Sequence, residues 1–131
     1  MSKKSKKFTD KEGRVWDSED EFKTFRWLTE AGWKEGVDFV VQGKFIPGRR
    51  FRGDFVFDKE KIIVEVMGMD IYGWAGHNNV FTIANDYKRH MQALLHGWRM
   101  IYWCKGVTKT DLLNCLNQLI SDYHFDVETK G

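Results

Sequence analysis

Residues 51–68, FRGDFVFDKEKIIVEVMG, constrain the fold of this chain more than any other stretch. Two runs rich in Phe, Val and Ile flank the charged turn Asp58-Lys59-Glu60, which predicts an antiparallel hairpin with strands over about 50–57 and 61–67. A lone hairpin is barely stable in water, so it must join a larger sheet or pack on a helix. Strand side chains alternate between faces. Phe51, Gly53, Phe55 and Phe57 are therefore expected on one face, and Arg50, Arg52, Asp54 and Val56 on the other. In the second strand Ile62, Val64 and Val66 share a face, and Ile63, Glu65 and Met67 share the opposite one. Pairing the apolar faces sets Asp54 and Glu65 side by side on one surface, inside the two best strands of the chain.

The rest of the sequence supplies the elements such a hairpin needs. Ser18-Glu19-Asp20-Glu21 has the pattern of a capping box and opens a helix with Phe22, Phe25, Leu28 and Ala31 at helical spacing. Gly32 and Gly36 mark its end, and VDFVVQGKF (Val37 to Phe45) reads as a strand before the Pro47-Gly48 turn. After a loop from Met69 to about Asn79, a second helix spans about 81–96, with Tyr87, Met91, Leu94 and Leu95 on one side and Gly97 at its end. WRMIYW (98–103) is a further strand. Thr108 to Asp111 caps a last helix whose stripe is Leu112, Leu116, Leu119, Ile120 and Tyr123. The order α-β-β-β-α-β-α predicts an α/β fold, a mixed β-sheet flanked by helices, because a helical crossover returns the last strand to the sheet. Residues 1–15 are expected to form a basic flexible arm, 16–124 a single domain and 125–131 a loose tail.

With 131 residues the chain has room for one core, and 15% aromatic content with a single Pro argues against disorder. A formal charge of +2 does not by itself announce a polyanion partner. Its distribution is more telling. Lys3, Lys4, Lys6 and Lys7 crowd the N-terminus, and Lys44, Arg49, Arg50 and Arg52 cluster beside the hairpin, as either solvated surface or a phosphate-binding patch. Cys104 and Cys115 are too few for a Cys₄ metal site and point to a reducing, cytoplasmic setting. MSKKSKK is followed by no apolar run, so it does not read as a signal peptide, and no stretch approaches a membrane span.

Two adjacent carboxylates repel, and burial raises their pKa values. A divalent cation removes the conflict: two acidic side chains, a backbone carbonyl and waters form a hard oxygen set suited to Mg²⁺. The alternative is that Asp54 and Glu65 are exposed acids paired with Arg50 and Arg52. Glu21 lies on the helical face of Phe25 and Leu28, so it is either a capping residue alone or an acid aimed at the sheet. His77, in a Gly-containing loop, reads as a backbone-bonded loop residue or as a site residue. Asp86, Lys88 and Arg89 read as a solvated helix face or as site groups. Tyr72 and Trp74 lie between loop glycines and either pack locally or stack on an unpaired base.

In order and spacing these stretches resemble the PD-(D/E)XK nuclease superfamily, and within it the small phage and prophage-type branch related to very-short-patch repair and VRR-NUC endonucleases. PGRRFRGDFVF resembles the strand that carries the first metal-binding Asp, here Asp54. KIIVEVMG resembles the strand that supplies the second ligand, here Glu65, with the Val66 carbonyl as a third. NDYKRHMQALLHGWRMIYW resembles the following helix and strand, and SEDEF resembles the start of the first helix, where Glu21 matches an acid often present in the site. The resemblance covers about residues 18–104. It implies a restriction-endonuclease-like fold and a Mg²⁺-dependent endodeoxyribonuclease, with Mn²⁺ able to substitute, acting on duplex or branched DNA as a homodimer. Asp54 and Glu65 would hold the metal with Val66, helped by Glu21. His77 or Lys88 would handle the proton or bind the phosphate. Lys44, Arg49, Arg50, Arg52, Trp74 and Arg89 would contact DNA. The sequence departs from the superfamily pattern at Met67, where the namesake Lys would stand two residues after Glu65. Met67 carries no proton and binds Mg²⁺ poorly, a feature that also suits a nuclease-like domain that binds nucleic acid without cutting it. A protein-interaction domain of a phage or mobile-element assembly, using the exposed aromatics, is a further alternative.

Overall fold

The computed structural model describes residues 7–67, 80–104 and 106–130, leaving aside the side chains of 80–83 and 130. A short hairpin, β1 (Phe8–Thr9) and β2 (Val15–Trp16), precedes α1 (Glu19–Glu30). Three strands follow, β3 (Val40–Lys44), β4 (Arg52–Phe57) and β5 (Ile62–Val66), then α2 (Val80–Leu95), β6 (Arg99–Trp103) and α3 (Lys109–Lys130). The main sheet runs β3-β4-β5-β6, antiparallel except for the parallel β5–β6 pair that the α2 crossover makes possible. The described residues thus form a mixed α/β fold with a four-stranded mixed sheet and three helices.

Two boundaries differ from the sequence reading. The expected arm over 1–15 is already structured from Phe8. The β1–β2 hairpin is closed by Asp10, whose carboxylate accepts from the N–H groups of Glu12 and Arg14 and from Trp16 Nε1. Phe8 stacks on Phe22 of α1 and Trp16 packs against it at a tilt, so the hairpin joins the core. The expected loose tail from Phe125 instead continues α3 to Lys130.

Capping explains where the helices begin. Ser18 Oγ accepts from the Glu21 N–H at 3.1 Å. Thr108 and Asp111 form a reciprocal pair, each side chain accepting from the other's N–H. The sheet separates two apolar layers. Phe55, Phe57, Ile62 and Val64 pack with Leu28 of α1 and with Leu112 and Leu116 of α3. Val56 and Ile63 pack on the other side with Phe45, Ile46, Trp98 and Ala93 of α2. Ala93 is the only buried residue of α2 among its described side chains. The stripe Tyr87, Met91, Leu94 and Leu95 faces outward, away from the sheet. Cys104 and Cys115 are free thiols, and among the described residues no helix is long and apolar enough to cross a membrane.

Candidate functional site

The site lies where the sheet opens. Backbone pairing between β4 and β5 covers Phe55↔Val64, Val56↔Ile63 and Phe57↔Ile62, and goes no further. Beyond that rung β4 stays paired with β3 as far as Lys44↔Arg52, and β5 stays paired with β6 as far as Val66↔Trp103. The central strands therefore part, and two side chains fill the gap. Asp54 Oδ2 accepts from the Val66 N–H at 2.7 Å, and Glu65 Oε2 accepts from the Asp54 N–H at 2.9 Å. The carboxylates accept the two N–H groups that the ladder would have paired, which keeps those donors satisfied.

The expected sharing of one face by Asp54, Arg52 and Val56 does not hold. A Cβ placed on Gly53 would meet Ile63 Cγ2 at 2.6 Å and Val56 Cγ2 at 2.9 Å, so Gly53 points to the side that Val56 and Ile63 occupy. Alternation slips between Gly53 and Val56, and Asp54 turns off the Val56 face into the gap. The rung opposite is equally irregular. Gln42, bracketed by Val41↔Phe55 and Gly43↔Gly53, has φ 54°, a left-handed conformation that non-glycine residues adopt at a cost of about 1 kcal/mol. The distortion turns the Gln42 amide into the site. Its Nε2 donates to Asp54 Oδ1 at 2.9 Å and to Glu21 Oε2 at 2.7 Å.

Glu21 is buried and serves more than the cap. Its Oε1 accepts from the Asp17 N–H at 3.1 Å, while Oε2 faces Gln42. On the opposite side of the sheet, Arg89 reaches down from α2. One guanidinium nitrogen lies 2.6 Å from Glu65 Oε1 and another donates to the Arg52 carbonyl at 3.0 Å. The Glu65 contact is an ion pair by distance, yet no N–H points along it, so buried Oε1 accepts no aligned hydrogen bond. A continuous polar chain, Glu21–Gln42–Asp54–Glu65–Arg89, thus crosses the open end of the sheet from the α1 layer to the α2 layer. The alternative of exposed acids paired with Arg50 and Arg52 is not what forms: Glu65 is 2% exposed and its cation is Arg89.

Burial dominates the electrostatics. It raises the pKa of Glu65 to about 7, with the neighbouring Asp54 charge adding to the rise and Arg89 opposing it. Burial also raises Asp54, against hydrogen bonds from the Val66 N–H and Gln42. Glu21 is raised by burial as well. A proton on either strand carboxyl relieves the repulsion between them.

Two carboxylates beside a strand carbonyl are hard oxygen groups, the chemistry a divalent cation prefers. Met67 N–H bonds the Trp103 carbonyl on β6, so alternation along β5 turns the Val66 N–H and carbonyl toward β4 and the carboxylates. Asp54, Glu65, whose Oε1 now faces Arg89 at 2.6 Å, and the Val66 carbonyl are the oxygen groups that a cation there would use. Glu21 stands behind Gln42, and among the described residues no three His, Cys, Asp or Glu side chains form a metal cluster.

The remaining expected residues are dispersed. Lys88 is exposed on α2, beside Arg89 but turned from it. Lys44, Arg49 and Arg50 are exposed and line a surface depression of about 510 Å³ at the β3–β4 turn, whose walls do not include Asp54 or Glu65. Arg52 is exposed and donates to the Gln42 carbonyl at 3.3 Å. His77, Trp74, Tyr72, Lys3, Lys4 and Lys6 lie outside the described residues.

Three contributors were not singled out from sequence: Gln42, His90 and Tyr102. Tyr102 pairs in register with Glu65, its hydroxyl lies 2.6 Å from His90 Nδ1, and the two rings stack at 5.6 Å. Only the position of Tyr102, facing Glu65 on a predicted neighbouring strand, offered a sequence signal. No family model matches this chain, and no curated protein or solved structure matches it either.

Proposed function

We propose that this chain is a metal-dependent DNA endonuclease with a restriction-endonuclease-like arrangement of its sheet, a member of the PD-(D/E)XK type that its motifs resemble. The parting of β4 and β5 around Asp54 and Glu65 carries the reading. A protein gains nothing in stability from two buried acids raised above their ordinary pKa values, whereas a cation site needs such a pair. Mg²⁺ or Mn²⁺ bound there would lower the pKa of a water and neutralise charge on a scissile phosphate. Asp54, Glu65 and the Val66 carbonyl would hold the ion, and Gln42 would fix the orientation of Asp54 against Glu21. Arg89 would balance Glu65 and offer its guanidinium to the phosphate. Lys44, Arg49, Arg50 and Arg52, all at one end of β3 and β4, would bind the backbone of duplex or branched DNA.

The test is incubation of the full chain with supercoiled plasmid, linear duplex, flap and four-way-junction DNA in Mg²⁺, Mn²⁺ or EDTA. Cleavage that requires metal and is lost in Asp54→Asn is the expected result. Two observations favour a second reading, a nuclease-like domain that binds DNA without cutting. Met67 stands where a Lys is usual, and Arg89 already neutralises Glu65. Salt-sensitive binding with no cleavage of any substrate would select that reading, and no DNA binding would refute both.

A further inference from the structure

Helix α2 is amphipathic in the wrong sense for a helix that serves only its own sheet. Its inner side contributes Ala93 to the core and Arg89 to the site. Its outer side carries Tyr87, Met91, Leu94 and Leu95 at i, i+4, i+7 and i+8, which are 64, 59, 56 and 77% exposed. Among the described residues, four of the ten exposed large hydrophobic residues lie on this stripe. The others are scattered, and Phe125 and Val127 of α3 are two apart and so face different directions. A contiguous apolar stripe of this size on a helix often marks a contact surface.

We propose that a second copy of this chain covers it, through antiparallel packing of α2 against α2 about a two-fold axis near Met91. The stripe is self-complementary. Tyr87 lies four residues before Met91 and Leu95 four after, so an antiparallel copy sets Tyr87 against Leu95 and Met91 beside Met91, as an isologous contact requires. No charged residue interrupts the stripe. Lys88, on its flank, would lie six residues from its symmetry mate along the axis, about 9 Å, which spares the pair a like-charge clash. The area suffices. At ~200 Å² for each fully exposed large residue, the four expose ~500 Å² per copy, so pairing hides ~1,000 Å², the lower bound of a specific interface, before the flanking stems of Lys88 and Gln92 are added. The two Asp54–Glu65 sites would then lie on opposite outer sides of a central helix pair. The proposal stands apart from the phosphodiester chemistry and survives or fails independently of it.

Sedimentation velocity of the full chain, from about 1 to 100 µM, reads the association directly, since an interface near the lower size bound is expected at the weak, micromolar end of specific affinities. The wild type is expected to sediment as a dimer at the upper end. Met91→Lys and Leu95→Lys, each at an exposed position and checked for unchanged circular dichroism, are each expected to weaken the dimer at least tenfold. A monomer throughout the range, or a dimer indifferent to both changes, overturns the proposal. The geometry has its own readout in a Cys104→Ser, Cys115→Ser background. Met91→Cys should form an intermolecular disulfide on mild oxidation. Tyr87→Cys should not, because its symmetry mate is about 12 Å away along the axis, beyond disulfide reach. The reverse pattern overturns the antiparallel register.

Discussion

Replacing Arg89 with Met keeps the apolar stem and deletes the cation that faces buried Glu65, so its effect on stability should depend on pH in a defined way. Glu65 ionises near 4.5 in an unfolded chain and near 7 in the fold. Between those values the folded protein holds a proton that the unfolded chain has released, so stability falls as pH rises from about 4.5 to about 7, by ~3 kcal/mol in all, and is flat above. Removing Arg89 takes away a charge that lowers the Glu65 pKa, so in the variant that pKa moves above 7. Below about pH 6 Glu65 is protonated in both proteins. The variant then loses the bond to the Arg52 carbonyl, the 3.9 Å ion pair with Asp86, the attraction to Asp54 and some packing, about 1–2 kcal/mol with little pH dependence. Above pH 7 the wild type has levelled off, while the variant continues to lose ~1.4 kcal/mol per pH unit until its own pKa is passed. The gap should widen between pH 7 and 8.5, by at most ~2 kcal/mol. Urea unfolding followed by tryptophan fluorescence across pH 5.5–8.5 measures it. A gap that stays constant with pH would refute the assignment of Arg89 as the counter-ion of Glu65.

Cation binding should follow the same proton. Because Glu65 must deprotonate to bind, Mg²⁺ or Mn²⁺ should raise the melting temperature more at pH 8 than at pH 6, and equal shifts at the two pH values would contradict a site at Glu65. Gln42→Leu removes the donor shared by Glu21 and Asp54 and leaves two buried carboxylate oxygens short of a partner, so a loss of roughly 1–3 kcal/mol is expected in the same urea assay, with a neutral result arguing against the bridge. Gly53→Ala drives a methyl into Ile63 and Val56 at the point where β4 turns, and should destabilise by about 1–3 kcal/mol; no loss would mean the turn relaxes easily.

Much of the framework was legible along the chain because local spacing controls it. The period-two runs at 52–57 and 62–66 form strands in the expected hairpin, and Ser18 and Thr108 cap helices because their short side chains reach an N–H three residues on. The adjacency of Asp54 and Glu65 was also foreseeable, since the hairpin register pairs Phe55 with Val64. What alternation could not supply is the slip after Gly53 and the left-handed Gln42, because both arise from contacts between strands rather than within one. Gln42 is 12 residues from Asp54 and 21 from Glu21, and no local pattern ties the three together.

The sequence by itself determined that α2 has an apolar stripe; periodicity fixes which residues share a side. Only the tertiary structure decided which way that stripe faces. A helix rotates freely about its axis until something packs against it, and here the small side of Ala93 and the pull of Glu65 on Arg89 hold the polar side inward and leave the larger apolar one outside.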